Sequence, residues 1–139
     1  VTLDAMYKEG TTWGMPQVSM EKLEIVRKAG LEILEMTHKE GVKVGFGTDL
    51  LGELHHYQSL EFSIRAQILT PFEVIQSATS INAELINKVG ELGVIKVGAL
   101  ADLLVVNGNP LTDLTLLQEQ GKHIPLIMKG GITYKNLIS

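Results

Sequence analysis

The 139-residue chain contains no cysteine. This absence excludes a disulfide framework, a thiolate zinc site and a cysteine nucleophile. No apolar run is long enough for a bilayer-spanning helix, and no signal-peptide pattern is visible, so a cytoplasmic location is expected. Basic residues are scattered and the formal net charge is -4. The sequence therefore gives no electrostatic reason to bind nucleic acid or an acidic membrane surface.

Several familiar catalytic motifs are also missing. The glycines do not form the GxGxxG or GxxxxGK[ST] patterns of nucleotide-binding loops. There is no GxSxG element of a serine hydrolase and no HExxH pair of zinc ligands. Taken by itself, the chain contains no complete catalytic constellation.

The first regular elements that the sequence predicts are a long helix and a short strand after it. Residues 1–19 contain several breakers and are expected to be irregular. Ser19 is a plausible N-cap for a helix that ends near Gly41. Residues 42–46 are β-prone and are predicted to form a buried strand, with Asp49 just past its end. This helix-to-strand order indicates one unit of a parallel sheet or barrel. The predicted helix places five apolar residues at helical spacing: Ile25, Val26, Ala29, Ile33 and Met36.

The middle of the chain predicts further helices. Residues 50–58 are expected to form a loop and residues 59–69 a helix. Thr70, Pro71 and Glu73 form the N-cap, first turn and capping box of the next helix, which should run to about Thr79. Ser80 can cap another short helix that ends before Gly90.

The last third is β-rich and antiparallel in character. We place a boundary near residues 90–93, which divides the chain into segments 1–90 and 91–139. Within the second segment Asp102 opens a strand, where such a residue usually accepts a turn or backbone hydrogen bond. Four strands are predicted, at residues 93–95, 103–106, 125–129 and 132–134.

Asp49 is the first candidate for chemistry. A carboxylate just past the end of a buried parallel strand lies where barrel enzymes place catalytic groups. It can bind a divalent metal and accept a proton from metal-bound water. The alternative is a carboxylate that only closes a turn after Gly47, and the spacing by itself favours that alternative.

Two histidines follow Asp49 in the same predicted loop. Histidine is the commonest metal ligand, but adjacent side chains diverge, so at most one of His55 and His56 would point into a site. Exposure of both to water is an equally open interpretation. Gln58 and Glu61 could join a substrate-facing rim, although a solvated helix face explains them better. His38 near a helix end and His123 before a strand are interpreted as structural and surface residues.

The order of the motifs resembles one family closely. The metal-dependent amidohydrolase superfamily, and its imidazolonepropionase-like branch with Xaa-Pro and Xaa-Arg carboxypeptidases, shows similar segments in its carboxyl-terminal portion. The matching residues are Gly45-Phe46-Gly47-Thr48-Asp49, His55-His56, Thr70-Pro71-Phe72-Glu73, Ser77-Ala78-Thr79-Ser80-Ile81-Asn82, Gly93-Val94-Ile95 and Ala101-Asp102-Leu103-Leu104-Val105-Val106.

The resemblance implies an α/β fold. The chain would be the C-terminal fragment of a (β/α)8 TIM barrel, about strands seven and eight with their helices, followed by part of a small β-sandwich. Residues 1–3 would end strand seven and residues 42–49 would form strand eight. Asp49 would be a metal ligand and the catalytic acid and base, with zinc as the expected metal. His56, in preference to His55, would contact a small amide or dipeptide substrate.

The same resemblance implies that essential parts lie elsewhere. Family members also need a His-x-His pair, a lysine and further histidines on earlier strands, and a whole barrel takes roughly 250 residues. The start at Val1 without methionine agrees with the expectation of a piece of a longer enzyme. Because the earlier strands and their ligands are missing, we expect this piece to be inactive alone, to bind no metal tightly and to self-associate through exposed strand edges. Two alternatives stay open: a non-catalytic α+β module, and one half of a split enzyme.

Overall fold

Helices occupy most of the first 85 residues, and the sheet lies after residue 100. The computed structural model describes residues 1–138. Within them, short 3-10 turns lie at Gly52–Tyr57, Leu114–Leu117 and Glu119–Gly121, and a π turn lies at Ser77–Ile81. The helices and strands, numbered along the chain, are α1 (Thr2–Glu9), α2 (Gln17–Lys39), α3 (Leu60–Arg65), α4 (Pro71–Gln76), α5 (Asn82–Leu85), β1 (Leu103–Val105), β2 (Leu126–Lys129) and β3 (Ile132–Asn136).

Helix α2 begins and ends close to the predicted residues. It starts two residues before Ser19, with Pro16 rather than Ser19 at the N-cap. It stops before Gly41, whose φ of 71° is a left-handed conformation that glycine adopts without strain. Only Leu23 of this helix is buried. The predicted apolar stripe faces outward, since Ile25, Val26, Ile33 and Met36 are all exposed.

The first residues correct two predictions. Residues 1–19 are not irregular throughout, and residues 1–3 do not end a strand, because Thr2 and Leu3 lie in the first turn of α1. The physical reason is that a strand needs a neighbour for its backbone groups, whereas a helix satisfies them within one segment. Helix α1 is packed against the rest of the chain through Ala5, which is buried in a cluster with Leu50 and Tyr57.

The strand predicted at residues 42–46 does not form among residues 1–138. Residues 42–51 join no ladder and no helix. No described segment runs beside them to supply ladder hydrogen bonds, and side chains from α3 and α5 bind their backbone instead.

The helices after Tyr57 follow the predicted order with different boundaries. The loop at 50–58 contains a 3-10 turn, and α3 is shorter than predicted. The capping box is confirmed: the Thr70 hydroxyl accepts from the Glu73 N–H, and the Glu73 carboxylate accepts from the Thr70 N–H. Ser80 caps nothing, because the π turn joins α4 directly to α5.

The three strands form one antiparallel sheet in the order β1-β2-β3. Leu103 pairs with Met128 and Lys129 pairs with Ile132, across a turn at Gly130. Asp102 behaves as predicted, since its Oδ1 accepts from the Gly130 N–H at 2.7 Å. The strand predicted at 93–95 is wrong: these residues form bends and no ladder.

The core consists of two small clusters. The first joins α1 to the 3-10 turn after residue 51. The second contains Leu69, Val74 and Leu114, so it ties the helices to the region that precedes β2. The division of the chain near residue 90 stays a prediction.

Among residues 1–138, no helix has the length and hydropathy needed to cross a membrane.

Candidate functional site

The candidate site lies at the end of the segment 42–51, which carries Asp49. Gly41 turns the chain out of α2 and into this segment. The segment then passes the ends of α3 and α5 before it reaches the 3-10 turn at Gly52–Tyr57. Its own residues make no ladder, so its position depends on contacts from these neighbouring helices.

Asn82 binds both backbone groups of Phe46. Its Oδ1 accepts from the Phe46 N–H at 2.9 Å, and its Nδ2 donates to the Phe46 carbonyl at 2.9 Å. The Phe46 N–H also approaches the Ser77 carbonyl at 3.2 Å. One side-chain amide therefore replaces the donor and acceptor that a neighbouring strand would offer.

Arg65 binds the same segment two residues earlier. Its guanidinium donates to the carbonyls of Val44 and Gly45 and lies 5.3 Å from the centroid of the Phe46 ring. Glu61, one helical turn before, accepts from Arg65 Nε at 2.5 Å. Both charged residues are only 6% exposed. Glu61 is thus not on a solvated helix face, and a buried arginine is retained because its charge is paired and its donors are used.

Asp49 is exposed and adopts a left-handed conformation with φ of 50°. The Thr2 hydroxyl donates to the carbonyl oxygens of Thr48 and Asp49 at 2.8 and 2.7 Å. Helix α1 thereby fixes the backbone at Asp49, while no hydrogen bond from residues 1–138 engages its carboxylate. The carboxylate is available for a ligand, which is also true of many surface carboxylates.

The two histidines bind the backbone of their own turn and are both exposed. His55 Nε2 contacts the Leu50 carbonyl at 2.9 Å, and His56 Nδ1 contacts the Glu53 carbonyl at 2.6 Å. Because a carbonyl can only accept, the contacting nitrogens carry the protons. A neutral His56 then has Nε2 as its acceptor, the nitrogen that a metal or a substrate donor would use.

The turn that carries the histidines is anchored by Tyr57. The ring centroids of His56 and Tyr57 lie 3.9 Å apart, and Lys8 Nζ lies 4.9 Å from the Tyr57 ring centroid. The Tyr57 hydroxyl donates to the Glu9 carboxylate, and this hydrogen bond raises the pKa of Tyr57 above its usual value. Helix α1 therefore contacts both the backbone at Asp49 and the turn that carries the histidines.

The described residues do not make a metal site by themselves. Within 1–138, no three or more histidine, aspartate or glutamate side chains are placed to hold one ion. A catalytic zinc site needs about three protein ligands. A carboxylate such as that of Asp49 has the chemistry of a metal ligand, but one such group is fewer than a zinc site needs.

Two residues that shape the site were not predicted from sequence. In the sequence, Asn82 stands out only as part of the segment Ser77–Asn82, and Arg65 belongs to no motif. A weak signal existed for each. Asparagine is a poor residue within a helical run, and a Glu61–Arg65 spacing of four places the two charges on one helix face.

Comparison with known proteins identifies the family. A model of the amidohydrolase family matches residues 8–133. The chain belongs to the amidohydrolase family. Members of this family are TIM-barrel enzymes and are generally metal-dependent.

Individual amidohydrolases agree with this assignment. A crystal structure of an amidohydrolase is 49% identical with a TM-score of 0.92, over 100% of this chain and 34% of that one. A prolidase in complex with N-methylphosphonate-L-proline is 46% identical with a TM-score of 0.89, over 98% of this chain and 33% of that one. Ochratoxinase from Aspergillus niger is 31% identical over 126 residues, which are 88% of this chain and 25% of that protein.

The chain therefore spans about a third of the length of these solved amidohydrolases and a quarter of ochratoxinase.

Proposed function

We propose that these residues form the carboxyl-terminal part of a metal-dependent hydrolase that cleaves amide or peptide C–N bonds. The observation that carries the proposal is the placement of Asp49, exposed at the end of a segment held on its backbone by Asn82 and Arg65, in a chain of the amidohydrolase family. In this proposal the segment 42–49, which joins no ladder among residues 1–138, would become the eighth barrel strand once the longer protein supplies its neighbouring strands. Strands β1–β3 would belong to a smaller sandwich.

Asp49 would have two tasks in the longer protein. Its carboxylate would be one of the metal ligands, and it would accept a proton from the attacking water. A bound divalent metal such as zinc supplies the rest of that chemistry by lowering the pKa of water to roughly 7. Two observations support this role: the Asp49 carboxylate accepts no hydrogen bond from residues 1–138, and the Thr2 hydroxyl binds the backbone carbonyl of Asp49.

A small dipeptide is the proposed substrate class. The prolidase relative was crystallised with a proline derivative, and its identity to this chain is 46%. His56 would face the substrate with its Nε2, because Nδ1 is occupied by the Glu53 carbonyl. We therefore choose an Xaa-Pro dipeptide as the first substrate to assay.

The proposal also requires other residues beside this segment. Ile95 and Val97 are 90% and 102% exposed, and Leu51 is 77% exposed. Large apolar side chains uncovered to this extent are typical of an interaction surface. We infer that further strands of the barrel and sandwich cover it, and that the 139 residues alone self-associate.

The test compares the 139-residue chain with a protein that also carries the upstream coding sequence. Both are loaded with zinc, dialysed and assayed for Xaa-Pro hydrolysis and metal content. We expect turnover and bound zinc in the longer protein only, because Asp49 alone cannot hold a metal. Near-stoichiometric zinc and hydrolysis by the short chain would contradict the proposal. Co-purification of a second polypeptide together with metal would show a split enzyme instead.

A further inference from the structure

Asn82 makes a contact that the proposed chemistry does not itself require. It satisfies the N–H and the carbonyl of Phe46, a residue 36 positions earlier in the chain. Only the amides of asparagine and glutamine offer a neutral donor and acceptor side by side in this way. The contact reproduces, with one side chain, the pair of hydrogen bonds that ladder partners exchange.

The local backbone is shaped to admit this side chain. Gly45 lies directly before Phe46, and a Cβ on it would lie 2.5 Å from Asn82 Oδ1 and 2.6 Å from Leu85 Cδ1. The π turn at Ser77–Ile81 precedes Asn82 and adds a residue to that turn of the helix. Such π turns change which face a following residue occupies, and they are often found at functional sites.

Arg65 holds the segment from another helix. With Asn82 included, the carbonyls of Val44, Gly45 and Phe46 all accept from a side chain of α3 or α5. Lys43 also reaches Glu84 on α5, at 2.6 Å, but both of these side chains are solvent-exposed. The partly buried contacts therefore lie at residues 44–46, and Asp49 follows three residues later.

We propose that Asn82 is a positioning residue that fixes the direction in which the segment 42–49 delivers the Asp49 carboxylate. This inference depends on the proposed role of Asp49. Removal of a group that orients a metal ligand typically lowers metal affinity or activity by about 10- to 100-fold. Displacement of a catalytic group by about 1 Å has an effect of similar size.

The test uses two variants of the longer protein, each with a different substitution at Asn82. Asn82→Ala removes both hydrogen bonds. Asn82→Asp keeps the shape and the acceptor but places a carboxylate oxygen against the Phe46 carbonyl. Glu84→Gln is the matched control, since it weakens an exposed contact from the same helix to the same segment, and exposed pairs contribute little.

The first measurement is hydrogen exchange of the metal-free protein by mass spectrometry. In Asn82→Ala, exchange of peptides within residues 42–50 should accelerate about tenfold, while peptides covering 126–136 keep the wild-type rate. The Glu84→Gln protein should match the wild type in both regions. Unchanged exchange in both Asn82 variants would overturn the proposal without reference to any activity.

The second measurement separates kcat from KM in Xaa-Pro hydrolysis at saturating zinc. Both Asn82 variants should lose about 10- to 100-fold in kcat, with KM changed less than about threefold. A wild-type kcat in the variants that exchange faster would also overturn the positioning role. If Asn82→Ala does not fold, both hydrogen exchange and kinetics are measured on Asn82→Asp instead. A longer protein with no hydrolase activity would contradict the proposed function, while the exchange result would still decide whether Asn82 holds the segment.

Discussion

Replacement of Gly45 with alanine tests whether the segment that carries Asp49 is held as the structure shows. The added Cβ would lie 2.5 Å from Asn82 Oδ1 and 2.6 Å from Leu85 Cδ1. Ordinary carbon contacts are roughly 3.5 Å or longer, so one of the neighbours must move by about 1 Å. Overpacking of this kind costs about 1–3 kcal/mol.

Movement of Asn82 has an additional cost. Its two hydrogen bonds to Phe46 contribute about 0.5–1.5 kcal/mol each. A glycine-to-alanine change also stabilises by about 0.4–1 kcal/mol through the unfolded chain, which offsets part of the loss. The sum of these terms spans about 1–5.5 kcal/mol, and we expect Gly45→Ala to lower the free energy of unfolding by an amount in that range.

Gly47→Ala is the matched control in the same segment. A Cβ at Gly47 would meet nothing within 4 Å. This variant should unfold at the wild-type midpoint or slightly above it. Thermal and urea denaturation followed by circular dichroism would compare the three proteins. Equal stability of the two alanine variants would refute the close packing of Asn82 and Leu85 on Gly45.

Other predictions concern the residues that hold the helices. Thr70→Ala should destabilise by about 1 kcal/mol in urea denaturation, because it removes the N-cap of α4. Hydrogen bonds from the Thr70 hydroxyl and N–H lower the pKa of Glu73, so its contribution is present above the unfolded pKa and is lost as the pH falls through the lower folded value. The stability gap between wild type and Glu73→Gln should therefore shrink on acidification, and a gap that grows would contradict this sign. Leu114→Ala should cost about 2–5 kcal/mol, since Leu114 joins the helices to the residues before β2, and a loss under about 1 kcal/mol would show that this cluster is loose. Arg65→Ala should cost about 3–5 kcal/mol because it leaves the buried Glu61 carboxylate with only the terminal amino group of Val1, 3.7 Å away, and Glu61→Gln should cost less.

Features set by neighbouring residues were predictable from the sequence. The capping box at Thr70, the end of α2 at Gly41 and the hairpin at Gly130 each depend on a few consecutive residues with specific backbone or hydrogen-bonding properties. The backbone contact of Asp102 was predictable for the same reason. These elements form with little help from distant parts of the chain.

Features that depend on distant partners were not predictable. Residues 42–46 have strand propensity, yet propensity yields a strand only where another strand runs beside it. The π turn before Asn82 gave no sequence signal either. At the site, the sequence singled out Asp49 and the histidines by residue type, whereas Arg65 and Asn82 act through contacts across 20 and 36 positions of the chain. Whether Asp49, His55 and His56 have the proposed roles stays a prediction.

The most direct test of the central claim is Asp49→Asn in the longer protein. Asparagine keeps the size of the side chain and also tolerates the left-handed backbone at φ of 50°. It removes the negative charge and the proton-accepting oxygen. We predict wild-type thermal stability, with Xaa-Pro hydrolysis at saturating zinc reduced at least about 100-fold. Hydrolysis at the wild-type rate by Asp49→Asn would contradict the assignment of Asp49 as the metal ligand and proton acceptor.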